Sequence, residues 1–265
     1  MSSRALEHQV QQGALFRELA WKALKEEPTG HFRLNEVIAF ALLAQLLETH
    51  EAIELLVKKL LVNDAWSLVR TSAECAVNCA YMFRVAADST VQDFVDYSHY
   101  KIFAESQRLK AIDPDVFRSI FSQEEEQTRR KLFESVRARF EKRRGDKWCI
   151  DDRLYKRAIE VDNFISNKWN VERHNFLLIA QTVWTWGSAH THAAVEVVMP
   201  RLTGSKEKMF FRSYADEEAA EALLSGTFTL YMLLSFIDDE LGGKNAKAIQ
   251  MRCAEWRGPI NFAHA

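Results

Sequence analysis

Three groups of residues in this chain carry polar chemistry at helical spacing. Arg70, Glu74 and Asn78 stand four apart in NDAWSLVRTSAECAVNCAYMFRV, residues 63–85. Such positions lie about 40° apart around a helix, so the three form a gently drifting stripe, which Trp66 extends by a turn. The other faces hold apolar or small residues, among them Leu68, Val69, Ala73, Cys75, Ala76, Cys79 and Ala80. Charge on so apolar a helix is costly unless it is paired or reaches water in a cavity. Two readings follow: an intrahelical Arg70–Glu74 ion pair on a surface stripe, or a stripe that lines an internal polar pocket.

Ser188 and His192 form the second group, within WTWGSAHTH, residues 184–192. At i, i+4 they share a face. His190 is turned about 200° from His192, so the two imidazoles cannot ligate one metal on a regular helix. A serine beside a histidine suggests a nucleophile and its base, but no acid orients the pair, and this spacing is not a nucleophile elbow. A core histidine bonded to a serine and a substrate-contacting pair both fit.

The third group is Arg129, Arg130, Lys131, Arg137, Arg139, Lys142, Arg143, Arg144 and Lys147. Residues 129–147 hold these nine basic residues against three acids, a local charge of +6. Such a segment could hold a nucleic acid or another polyanion. A solvated helix face is the alternative. Few aromatics interleave, so base stacking is not indicated. Tyr97, Tyr100, Trp184 and Trp186 either pack in a core or wall a ligand pocket near the polar residues.

The elements that must position these groups are helices. Nine glycines and four prolines are few for 265 residues, which argues for long helices and against a β-sandwich or barrel. Apolar periodicity predicts helices over Ser3 to about Glu26, Leu34 to Leu61, Ala65 to Ala86 (capped by Asn63 and Asp64), and Val91 to Ala111. It continues in Val116 to Arg144, Cys149 to Lys168, Val171 to Val198, Asp216 to Leu241 and Lys244 to Glu255. Thr203, Gly204 and Ser205 read as a loop, and no segment alternates as a strand would. The expectation is one all-α domain over residues 1–265: a bundle of about eight helices with long central ones, a subdivision near residue 145 being the alternative.

Apolar residues make up 48% of the chain, enough for a sizeable core, and the net charge of −2 advertises no nucleic-acid partner globally. Cys75, Cys79, Cys149 and Cys253 show no zinc spacing and read as reduced core residues. The N-terminus has no apolar leader, and no run of 18 apolar residues occurs, so a cytoplasmic protein without a membrane span is expected. There is no GxxxxGK[ST], GxGxxG, HExxH, EF-hand loop or Glu-x-x-His pair, so no cofactor and no metal are expected.

The run from Ser67 to Tyr81, SLVRTSAECAVNCAY, resembles the signature helix of a bacterial all-helical family catalogued as domain of unknown function 5677. That family shows Arg-x3-Glu followed by small residues, an Asn and an aromatic. Its later Ser-x3-His helix resembles Ser188-x3-His192. The resemblance spans about Ala41 to Met199 and implies that Arg70, Glu74, Ser188 and His192 belong to one site, without supplying a reaction. The expected function is binding or sensing of a small or anionic ligand in that pocket. One alternative is a metal-independent HEPN-like ribonuclease in a toxin or phage-defence setting, with Arg and His meeting across a homodimer. Its literal motif, Arg257 to His264, lies in a Gly-Pro context at the C-terminus and reads as chance; convergence of Arg70 with His192 is the other route. An interaction scaffold with purely structural polar pairs is a third reading. Whether the chain is an enzyme stays open.

Overall fold

The computed structural model describes residues 3–26, 32–142, 153–170, 172, 174–192, 202–205, 208–211 and 216–257. The fold is all-α, and the chain divides into two compact units, one of Met1–Val85 with Leu154–Ala265 and the other of Ala86–Arg153.

In the larger unit, α1 (Ser3–Glu26), α2 (Leu34–Lys58) and α3 (Val62–Arg84) follow one another. After them come α7 (Leu154–Trp169), α8 (Asn175–Leu178), a π-helical turn (Ile179–Val183), α9 (Trp184–Thr191), α10 (Asp216–Glu240) and α11 (Ala246–Arg257). The central element is α3: α2, α7, the π turn, α9 and α10 all pack against it. Ala65, Ala73, Ala76, Cys79 and Ala80 are buried there, and their small side chains let neighbouring backbones approach. Leu60, at φ 55°, turns the chain between α2 and α3, in a backbone region that costs a residue with a Cβ about 1–2 kcal/mol. Asn63 and Asp64 therefore lie inside α3, and Leu61 precedes it as the cap.

The smaller unit holds α4 (Asp88–Ile112), α5 (Pro114–Ile120) and α6 (Gln123–Glu141). The single helix expected from Val116 to Arg144 is two helices. Ser122 accepts from Glu125 N while the Glu125 carboxylate accepts from Ser122 N, a capping box that starts a new helix. The Asp113 side chain caps α5 by accepting from Asp115 N and Val116 N.

Two further expectations change. Leu202–Ser205 and Lys208–Phe211 pair as an antiparallel hairpin, so Thr203, Gly204 and Ser205 are strand and not loop. The long helix expected from Val171 to Val198 is interrupted by the π turn, and residues 193–200 lie outside the described part. Among the described residues one segment, Glu217–Glu240, is long and apolar enough to cross a membrane, with mean hydropathy 1.5, although it is no unbroken apolar run. Its most apolar window is 61% buried among the other helices, as befits a core helix.

Candidate functional site

The seam between α3 and α9 packs together the two helices that carry the first two sequence groups. The two helices run antiparallel. Trp184 meets Arg70, with the guanidinium carbon 5.2 Å from the indole centroid. His190 stacks on Trp66 at 5.1 Å with 11° between the planes, and its Nδ1 lies 3.1 Å from Asn63 Oδ1. Thr191 Oγ1 donates to Gly187 O at 2.7 Å and stands 3.1 Å from Ser67 Oγ.

Gly187 is what allows this approach. A Cβ there would fall 2.7 Å from Arg70 Cβ and 2.8 Å from the Trp66 carbonyl oxygen, so only glycine fits against the α3 backbone. The π turn precedes this contact. It carries one extra residue, which offsets every later side chain by about 100°. Thr182 Oγ1 donates back to Leu178 O within it, a bond of the kind that bends helices.

The result is a cluster of underused donors. Arg70 makes no hydrogen bond or ion pair among the described residues, and its Nε is buried without an acceptor. Trp184 Nε1 is likewise buried and without a partner among the described residues. Elsewhere on α3, Ser72 Oγ and Asn78 Oδ1 are also buried without partners among the described residues. Each such group costs about 1–3 kcal/mol when it is left unsatisfied. Arg70 and Trp184 are the pair that stand together, and both are donors.

The remaining sequence candidates lie as follows. Glu74 is exposed and forms no ion pair with Arg70. Its charge is felt instead by Cys75, whose thiol is pushed up to about 11 by burial first and by Glu74 second. Ser188 is half-buried and His192 exposed; only a backbone bond, His192 N to Ser188 O at 3.0 Å, joins them. His192 closes α9 five residues beyond Gly187, about 7.5 Å further along the axis and toward the N-terminal end of α3. Trp186 is 52% exposed.

Tyr97 and Tyr100 belong to the smaller unit. They stack on each other, and both pack on Phe140. In the basic group, Arg130 pairs with Glu126, Arg137 with Glu134 and Glu141, and Arg139 with Asp93 and Asp96. Arg129 lies over the Phe121 ring, and Lys131 and Lys142 are exposed. Arg143, Arg144, Lys147 and the Arg257-to-His264 motif's histidine are outside the described residues. No group of three or more His, Cys, Asp or Glu suited to a metal occurs among the described residues.

The sequence reading missed a second polar cluster, buried between α1, α2 and α10. Arg17 Nη1 lies 2.6 Å from Glu54 Oε1 and 3.3 Å from His50 Nδ1. Glu54 Oε1 is 3.4 Å from the same Nδ1, and Thr227 Oγ1 is 3.0 Å from Nε2. Gly13 leaves room for the ring, since a Cβ there would meet His50 Cε1 at 2.8 Å. Burial holds the His50 imidazole below its ordinary 6.5, the Arg17 charge adding to the effect and Glu54 opposing it. Burial also works to raise the Glu54 carboxyl, but His50 and Arg17 outweigh it and hold that group below 4.5. Hydroxyl, imidazole and carboxylate stand in the order of a nucleophile, its base and an orienting acid. Thr227 is fully buried, and the cluster fastens three helices together in the core. Its only local trace is the i, i+4 pair of His50 and Glu54.

A family model described as a family of unknown function (DUF5677) matches residues 36–210, a span from α2 to the second strand of the hairpin. No curated protein and no solved structure matches.

Proposed function

The chain belongs to the DUF5677 family, whose function is unknown, and we propose from the α3–α9 seam that it binds a small anionic ligand there. Arg70 would supply the charge and Trp184 a second, directional donor. The observation that carries this reading is the pair of neighbouring buried donors, Arg70 Nε and Trp184 Nε1, with no acceptor among the described residues.

A carboxylate or phosphate oxygen at about 2.9 Å from each would satisfy both. Charge assistance makes such bonds about twice as strong as neutral ones. The exposed Glu74 carboxylate is free of Arg70 and does not compete for it. The π turn beside Trp184 supports the same reading, because such turns recur where a helix is re-aimed for function.

Calorimetric titration of the full chain with inorganic phosphate and with acetate tests this. Binding at about 1 mM or tighter is expected, weakened at least tenfold in Arg70→Ala and partly retained in Arg70→Lys. A folded Arg70→Ala protein that binds either anion as well as the original would overturn the proposal.

A further inference from the structure

A cavity lies in the larger unit, away from the α3–α9 seam. It has a volume of about 360 Å³ and opens between α7, α8, α10 and α11. Small-molecule sites start at about 300 Å³. Its walls include the rings of Trp169, Tyr231 and Phe236, with Met232 and Ile249 adding apolar surface. Phe236 is nearly buried and held edge-on by Phe83, Phe164 and Phe176, so that wall is rigid.

Three consecutive carboxylates end α10 at this cavity, and their charges are not evenly matched. Glu240 pairs with Arg84 at 2.9 Å and with Lys168 at 2.7 Å. Asp239 shares Lys168 at 3.4 Å and accepts from Trp169 Nε1 at 3.1 Å. Asp238 pairs with no cation among the described residues. It is 92% buried, at 8% exposure, and lines the cavity. One of its oxygens accepts from Asn245 N at 2.9 Å; the other takes no hydrogen bond among the described residues. Asp238 thus lines the cavity with one carboxylate oxygen uncommitted, and a cation that enters would find it unshared.

Aromatic faces around an uncompensated carboxylate are the chemistry that recognises organic cations. Ring quadrupoles attract the cation, and the carboxylate supplies the counter-ion. A bare divalent ion would need several oxygen ligands, and one free carboxylate does not supply them. We infer that this cavity binds a compact organic cation, an ammonium group with an apolar body, through Asp238 and the rings of Trp169 and Tyr231.

The test uses the full chain and two probes of nearly equal shape, choline and its uncharged carbon analogue 3,3-dimethylbutan-1-ol. Calorimetry is expected to show choline binding at about 1 mM or tighter and the alcohol binding at least tenfold more weakly. Asp238→Asn keeps an oxygen for Asn245 N–H and removes the charge, so it should weaken choline at least tenfold. Ser235→Leu, placed in the cavity wall, should block choline by occupying space, and it reads the site independently should Asp238→Asn misfold. Arg70→Ala should leave choline binding unchanged, which separates this site from the anion site. Absence of choline binding, equal binding of the alcohol, or full binding by folded Asp238→Asn or Ser235→Leu overturns the inference.

Discussion

Gly187 and Arg70 are in backbone-level contact: a Cβ on Gly187 would lie 2.7 Å from Arg70 Cβ and 2.9 Å from Arg70 N. This approach brings the indole of Trp184 onto the Arg70 guanidinium and places His190 on Trp66. Gly187→Ala should therefore force α9 away from α3. The expected cost is about 1–3 kcal/mol, the usual range for overpacking a tight contact, read as a lower midpoint in urea unfolding. An unchanged midpoint would show that the seam yields without strain.

The His50–Glu54–Arg17–Thr227 cluster predicts acid sensitivity in two steps. His50 is held below 6.5, so as pH falls through 6.5 the unfolded chain takes up a proton that the folded one refuses, and stability drops. Glu54 is held below 4.5, so its contribution is complete above 4.5 and is lost as pH falls through its folded value. Urea midpoints measured between pH 7.5 and pH 4 should decline from about pH 6.5 downward. His50→Gln, less stable throughout, should show a flatter profile between pH 6.5 and 5. The same slope in both proteins would remove His50 as the cause.

The fold class was legible because it rests on a global property, the scarcity of Gly and Pro among segments with helical apolar periodicity. The site was legible only in part, because nothing local tells which face of the stretch from Trp184 to His192 meets α3. No residue type encodes a π turn, and this one goes with a close approach of two helices far apart in sequence. A regular helix puts Ser188 and His192 on one face, whereas the residues that meet α3 are Trp184, Gly187, His190 and Thr191. The buried cluster was hidden differently: Arg17 and Thr227 lie 33 and 177 residues from His50, beyond any local pattern. The hairpin strands are four residues each, too short to show alternation.

Cys75 and Cys79 should be inert in the native protein. Burial raises both thiols, and Cys79 Sγ donates to Ala39 O at 3.1 Å inside the core. Neither should react with a maleimide at pH 7.5 on a timescale of minutes, and both should react in urea. Native labelling of either, mapped by peptide mass, would mean that α2 and α3 separate readily.

Arg139 bridges Asp93 and Asp96 across α4 and α6 in the smaller unit. Arg139→Ala removes the cation that Asp93 and Asp96, 14% and 16% exposed, share. Arg139 is itself 38% exposed, so the loss should be modest, about 1 kcal/mol. It should shrink in 1 M salt, where the Debye length is about 3 Å. A loss unaffected by salt would point to packing on Phe140, over which the guanidinium also lies.

The central claim, that Arg70 and Trp184 offer donors to an anion, is tested most directly at the Trp184 indole N–H. In 15N-labelled full-length protein, that resonance, assigned by its loss in Trp184→Phe, should move downfield and saturate as phosphate is added to about 10 mM, enough to fill a site of about 1 mM affinity. The same titration of Arg70→Ala should leave it in place. A Trp184 resonance that does not respond to phosphate in the original protein, or responds equally without Arg70, contradicts the account.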